Sequence, residues 1–198
     1  FDFAAAFPSI NQTFLLSALQ HLGLPMHAVR VVAALSDNCR CDLTFGGQRW
    51  LGFNLARGIR QGCPLSPLLF AAVLDLFIRK IILVLNDPTL RAFADDLGLV
   101  LADLEAALPH LIKLFHEMGE ASQLCLNLPK TVCTPLWEAP LTSVQQLICR
   151  VCPLWSDIAV ASEGKYLGFY VGPNKSHRSW EEVAKKMINR AAAWDFSG

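Results

Sequence analysis

A very apolar run from Leu65 to Leu85 constrains the fold most strongly. Asp75, Arg79 and Lys80 interrupt this run, so it is too charged for a membrane span and predicts a buried core helix. The composition provides partners for such a helix, because 53% of the 198 residues are hydrophobic and only 17% are charged. This composition excludes a disordered chain and fits one domain, or one domain and the beginning of another.

Helix and strand signals alternate along the chain and predict an α+β fold, in which helices back an antiparallel sheet. The run from Phe1 to Ala6 resembles a core strand, and Ser9 with Gln12 forms a capping box for a helix that ends near His21. Two hairpins are predicted, one around Gly46-Gly47 and one with Asp95-Asp96 as its turn. Further helices are predicted at 25–36, 65–86, 104–124, 142–151 and 176–193, and further strands within 124–136 and 165–172.

Charge and cysteine content narrow the functional classes. Lys plus Arg and Asp plus Glu both number 17, which weighs against a nucleic-acid binder unless basic residues are clustered or lie outside this sequence. Residues 165–190 form one basic cluster, for which a solvated helix face is the alternative.

Seven cysteines without a visible signal peptide predict reduced thiols in an intracellular protein, in the nucleus or cytoplasm. Cys149 and Cys152 lack the partner pair that a zinc site needs.

Two adjacent aspartates, Asp95 and Asp96, stand between apolar runs. Aspartate favours turns, so a hairpin tip explains the pair without any function. A Mg²⁺ site is the alternative, and it requires oxygen ligands from elsewhere in the chain. Asp2 is the candidate partner, since a lone carboxylate on an apolar strand is costly to bury, although a residue near a chain end can also be exposed.

The segment "GIRQGCPLSPLLF" is the most informative stretch. Gly58 and Gly62 let the backbone bend close to a ligand, and Gln61 can both donate and accept hydrogen bonds. Pro64 and Pro67 then begin a helix whose N-terminus would attract phosphate oxygens. A loop that merely caps a core helix is the alternative interpretation.

Together with "FDFAAAF", "FADD", "LNLPKT" and "KYLG", in this order, the segment resembles the motifs of reverse transcriptases, particularly those of non-LTR (LINE-type) retrotransposons. The resemblance covers Phe1 to about Gly172. It implies a polymerase palm over 1–172, an antiparallel sheet backed by helices, and the start of a thumb or connection helix over 173–198. It also implies that the sequence is a fragment, with fingers, most of the thumb and an endonuclease domain belonging to a longer protein.

The resemblance implies nucleotidyl transfer from a dNTP to a primer 3′-hydroxyl on an RNA template, assisted by two Mg²⁺ ions, or Mn²⁺. The implied metal ligands are Asp2, Asp95 and the carbonyl of Phe3, with Asp96 as the adjacent carboxylate near the primer end or a metal. Of the two adjacent aspartates, Asp95 is the firmer expected ligand. Lys130 would be a general acid near the pyrophosphate, with an exposed loop lysine as the alternative.

The implied nucleotide site comprises Arg60, Gln61, Gly62 and Phe7, whose bulky ring would exclude a 2′-hydroxyl. Tyr166, Leu167 and Gly168 would belong to the primer grip. Many relatives carry a second aspartate after the gate aromatic, where this chain has Pro8. We predict weak or no activity for the chain in isolation; a degenerate, non-catalytic remnant that folds or binds nucleic acid is the alternative, as is a related group II intron or retron polymerase.

Overall fold

The computed structural model describes residues 1–86, 88–173 and 178–194. The chain forms two compact units, Phe1–Asn127 and Leu128–Gly198. This division lies inside the region for which the sequence predicts one palm domain, and the boundary between palm and thumb stays a prediction. None of the helices in the described ranges combines the length and apolar character that a membrane span requires.

Helices dominate the first unit, and two hairpins lie between them. The elements of this unit are α1 (Ala6–Ser9), α2 (Gln12–His21), α3 (Met26–Ser36), β1 (Arg40–Phe45), β2 (Gln48–Asn54), α4 (Ser66–Leu85), β3 (Thr89–Phe93), β4 (Asp96–Val100) and α5 (Leu104–Ser122). Helices α2, α4 and α5 pack on one another around buried aromatic and aliphatic side chains, among them Phe70, Phe77 and Leu111. The predicted core helix is therefore confirmed as α4.

The second unit is smaller and contains short strands. Its elements are a 3₁₀ turn (Leu128–Lys130), β5 (Val132–Cys133), α6 (Leu141–Val151), a second 3₁₀ turn (Pro153–Trp155), β6 (Ala159–Val160), β7 (Gly164–Tyr166), β8 (Phe169–Val171) and α7 (Arg178–Trp194). Strands β5 and β6 pair in parallel, whereas β7 and β8 form an antiparallel hairpin. The segment predicted as one strand over 165–172 is thus a hairpin. Leu167, with φ 50°, and Gly168, with φ 89°, both have left-handed backbones and reverse the chain between the two strands.

The predicted strand at Phe1–Ala6 is shorter than expected. The chain turns at Ala4 and Ala5, and Ala6 already begins α1. Alanine favours helix, and Pro8 stands in the first turn, where its missing N–H costs no hydrogen bond. The predicted cap of α2 is also wrong: Asn11, and not Ser9, accepts the hydrogen bond from Phe14 N at 3.0 Å.

The short N-terminal strand is the centre of a larger hydrogen-bonded arrangement. Phe1 and Leu97 exchange both backbone hydrogen bonds, at 2.8 Å and 3.1 Å, which extends the β3–β4 hairpin by one strand. On its other edge, Asp2 O accepts from Asn127 N at 2.9 Å and Ala4 N donates to Cys125 O at 2.9 Å. The strand-to-strand order is therefore β3, β4, Phe1–Ala4 and Cys125–Asn127, with helix α5 behind it through the ring of Phe115.

Candidate active site

The hairpin between β3 and β4 places Asp95 and Asp96 in different positions. Ala94 and Asp95 form the turn, with Ala94 at φ 50°, while Asp96 is the first residue of β4 and pairs with Phe93. The turn therefore lies one residue earlier than the sequence predicts. Burial of Leu97 fixes this register, because a slip by one residue would bring Leu97 to the opposite face of the strand.

The hydrogen-bond register brings Asp2 directly opposite Asp96. Because Phe1 and Leu97 exchange both hydrogen bonds, their strands are antiparallel, and the next pair along the ladder is Asp2 with Asp96. In such a non-hydrogen-bonded pair the Cα atoms lie about 4.5 Å apart and the side chains share one face. That face is opposite to the one on which Phe1 and Leu97 point into the core.

The electrostatics of Phe1 agree with this placement. Burial lowers the pKa of its α-ammonium group, and the carboxylates of Asp96 and Asp2 oppose that shift. Both carboxylates therefore act on the same cationic group, although each is only half-buried. In the described ranges, no three side chains of His, Cys, Asp or Glu converge closely enough to hold a metal ion.

The row of side chains formed by Asp96 and Asp2 on this face also contains a third residue, which the sequence analysis did not predict as part of the site. Since Phe3 pairs with Leu126 in an antiparallel bridge, the preceding residue Asp2 is opposite Asn127. Asp2 thus has Asp96 as its neighbour on one side and Asn127 on the other. The only available signal was the position of Asn127 in "LNLPKT", three residues before Lys130.

Phe7 and the glycine-rich loop are joined at their backbones. Gly58 N donates to Ile10 O and Ile59 N donates to Phe7 O, both at 2.8 Å. The Phe7 ring stacks on Phe70 of α4, with 4.6 Å between centroids and 22° between planes. The predicted gate aromatic and the predicted nucleotide loop therefore belong to one packed arrangement.

Beyond this contact, the loop presents Gln61 and Gly62 at the surface. Part of the Arg60 guanidinium group is engaged within the protein. Its Nη2 donates to the Leu35 carbonyl at the end of α3 and to Cys39 Sγ. Arg60 thus anchors the loop to α3, and a contact between Arg60 and a nucleotide stays a prediction.

Gly58 is the position that allows the loop to dock. Its φ is +91°, and a Cβ there would lie 2.6 Å from Pro8 O and 2.8 Å from Pro8 Cα. We expect Gly58→Ala to destabilise the unit by about 1–3 kcal/mol through backbone strain, and by more where the clash separates the loop from Pro8. Urea denaturation followed by circular dichroism measures this loss.

Gly23 provides the matched control for that substitution. Its φ is +84° and a Cβ there meets nothing within 4 Å, so Gly23→Ala carries the conformational strain without the clash. A loss in Gly58→Ala no larger than in Gly23→Ala would mean that the contact with Pro8 does not hold the loop in place.

The remaining predicted site residues lie in the second unit. Lys130 ends the first 3₁₀ turn and is exposed, while Tyr166, Leu167 and Gly168 form the tip of the β7–β8 hairpin. In the basic cluster, Lys165 Nζ lies 5.5 Å from the centroid of the Tyr170 ring. The described basic side chains of α7 are exposed: Lys185, Lys186 and Arg190. Lys175 and the side chains of Arg178 and Glu182 lie outside the described residues.

Comparison with known proteins identifies the family. Residues 1–171 match the family described as "Reverse transcriptase (RNA-dependent DNA polymerase)". The chain is 26% identical over 205 residues to the "Transposon TX1 uncharacterized 149 kDa protein" of Xenopus laevis, an alignment that covers 98% of the chain and 15% of that protein.

Two further relatives are named "Retrovirus-related Pol polyprotein from type-1 retrotransposable element R2". The protein from Nasonia vitripennis is 30% identical over 127 residues, covering 60% of the chain and 12% of the relative. The protein from Popillia japonica is 31% identical over 141 residues, covering 66% of the chain and 20% of the relative. The chain thus spans a fifth or less of these relatives, and the predicted resemblance is confirmed: the chain belongs to the reverse transcriptase (RNA-dependent DNA polymerase) family.

Proposed function

We propose that this chain carries the nucleotidyl-transfer centre of a non-LTR retrotransposon polymerase, which copies RNA into DNA from a primer 3′-hydroxyl and dNTPs. Family membership and the names of the relatives support the reaction class. One observation carries the proposal for this site: the register brings Asp2 opposite Asp96 on the face turned away from the core.

The residues of this face fit a hard divalent cation. Like charges directly opposite each other on adjacent strands destabilise a sheet, and a bound cation removes that cost. Carboxylate and carbonyl oxygens are the ligands that Mg²⁺ prefers, so Asp2 and Asp96, with Asp95 and the Phe3 carbonyl, would hold Mg²⁺ or Mn²⁺.

When bound, two Mg²⁺ ions would neutralise charge on the transferred phosphoryl group and lower the pKa of the attacking hydroxyl. The chain's own residues position the substrates. Phe7, held by Phe70 and by the hydrogen bond from Ile59, offers a rigid ring against the sugar, which favours a deoxyribose. Gln61 and Gly62 are exposed in the same loop as Ile59 and would contact the incoming nucleotide, while Arg60 fixes this loop.

Three elements of the second unit have proposed roles in the same reaction. Lys130 would give a proton to the pyrophosphate leaving group. The hairpin tip at Tyr166–Gly168 would hold the primer strand through its backbone. The exposed lysines and arginine of α7 would contact nucleic-acid phosphates, a sequence-independent contribution that weakens as salt is added.

Primer extension on an RNA template tests the proposal. We expect at most weak extension from the chain alone, dependent on Mg²⁺ or Mn²⁺, and a loss of about a hundredfold or more in Asp95→Ala, because a ligand itself is removed. Asp157→Ala, at an exposed position of the second unit, is the matched control. Extension that survives Asp95→Ala unchanged would contradict the proposed role, and primer–template binding without extension under any cation would favour the non-catalytic alternative.

A further inference from the structure

The orientation of the Asp2 carboxylate decides whether it can bind a cation together with Asp96. Asp2 is on an inner strand of the four-strand arrangement. It is half-buried, and the negatively charged Asp96 lies directly opposite on β4. Repulsion from Asp96 would rotate the Asp2 carboxylate away from the position between the two strands. A hydrogen-bond donor on the opposite side of Asp2 would bind one carboxylate oxygen and fix the side chain in a single orientation, which leaves the second oxygen to bind a cation.

Asn127 occupies that opposite side. Its backbone N–H donates to Asp2 O at 2.9 Å, and the neighbouring bridge between Phe3 and Leu126 is antiparallel. In this hydrogen-bonded pair the Cα atoms are about 5.5 Å apart and the side chains share one face. The backbone contact therefore sets the Asn127 side chain next to that of Asp2.

The chemistry of an asparagine suits this position better than that of a third carboxylate. A carboxamide offers two N–H donors and carries no charge, whereas an aspartate at neutral pH only accepts hydrogen bonds. Asn127 is adjacent to Asp2, whereas Asp96 lies two strands away, about 10 Å at the usual strand spacing. The carboxylate nearest to the Asn127 carboxamide is therefore that of Asp2.

We propose that Asn127 is a positioning residue, whose carboxamide N–H group donates to one oxygen of the Asp2 carboxylate and fixes its orientation, so that the second oxygen binds the shared cation. This inference rests on the proposed cation site at Asp2 and Asp96, and it adds a residue that neither the family description nor the names of the relatives assign. Outer partners of this kind orient ligands, and their loss typically costs about 10–100-fold in metal affinity.

Mn²⁺ binding to the 198-residue chain tests the inference without any need for polymerase activity. Titration followed by electron paramagnetic resonance gives the Kd for wild type, Asn127→Ala and Asn127→Asp. We expect Kd to rise about tenfold or more in Asn127→Ala, and to rise also in Asn127→Asp because the new carboxylate cannot donate and repels Asp2. Asn54→Ala, at the exposed end of β2, is the matched control and should bind like wild type. Urea denaturation of each variant establishes that it is folded.

The alternatives give different results. An unchanged Kd in folded Asn127→Ala, with Asp96→Asn abolishing binding, would overturn the positioning role and leave the proposed cation site intact. Tighter binding in Asn127→Asp would overturn it as well, because the residue would then be a ligand. A wild-type chain that binds no Mn²⁺ at millimolar concentration would overturn both the inference and the site on which it rests.

Discussion

Phe115→Ala is expected to lower the free energy of unfolding by about 3–5 kcal/mol, the usual loss when a buried aromatic side chain is truncated to alanine. The Phe115 ring is buried in α5 and contacts three other rings. Its centroid lies 4.8 Å from that of Phe1, 6.2 Å from that of Phe3 and 5.0 Å from that of Phe77. Native domains are stable by only about 5–15 kcal/mol, so this single loss is a large share of the total.

The position of Phe115 gives this substitution a second consequence. Phe1 and Phe3 flank Asp2, and their rings attach the N-terminal strand to α5. Without Phe115, the strand keeps its backbone hydrogen bonds to Leu97 and Asn127 but loses its attachment to the core. We therefore expect Phe115→Ala to weaken Mn²⁺ binding as well as stability.

Urea denaturation monitored by circular dichroism measures the stability change, with Phe45→Ala as the matched control. Phe45 is 83% exposed at the end of β1, and exposed side chains usually contribute within about 0.5 kcal/mol. A loss in Phe115→Ala no greater than in Phe45→Ala would show that the four rings do not form the core of this unit.

Much of the local structure was accessible from the sequence because its signals are short-range. The glycines at Gly46-Gly47 specify the first hairpin, and the apolar run that ends near Asn86 specifies α4. The errors lie where a neighbouring residue competes for the same role. Asn11 displaces Ser9 as a cap, and three alanines in succession end the N-terminal strand early.

The site was only partly accessible, for a different physical reason. The motifs and their order pointed to Asp2, Asp95 and Asp96, but they could not show which two of these side chains lie on the same face of the sheet. That depends on the register between the N-terminal strand and β4, two segments that are more than 90 residues apart in the chain. A second long-range pairing, between the N-terminal strand and Cys125–Asn127, brings Asn127 beside Asp2, so the motif "LNLPKT" alone could not place it there.

The register also separates the two adjacent aspartates. The sequence favoured Asp95 as the firmer metal ligand, since it stands at the predicted hairpin tip. In the structure, Asp96 is in the row with Asp2, and Asp95 is in the turn beside that row. The relative importance of the two carboxylates is therefore open to a direct measurement.

We expect Mn²⁺ to raise the stability of the wild-type chain and Asp96→Asn to abolish that increase. A ligand that binds only the folded state stabilises it by RT ln(1 + [L]/Kd), which is about 2.7 kcal/mol at a hundred times Kd. Asp2→Asn should lose the increase too, since the two carboxylates share the cation position. Asp95→Asn should retain part of it, because the Asp95 side chain lies outside the row.

Without a divalent cation, the same substitutions should change stability little. Asp96→Asn relieves a like-charge pair that costs about 0.2–1 kcal/mol, but it also removes a favourable interaction with the Phe1 ammonium. Thermal unfolding in Mn²⁺ and in EDTA, with Asp157→Asn as the exposed control, separates the two effects. If Asp95→Asn loses the entire Mn²⁺ response while Asp96→Asn keeps it, the cation is held at the turn, and the row formed by Asp2 and Asp96 is not its site.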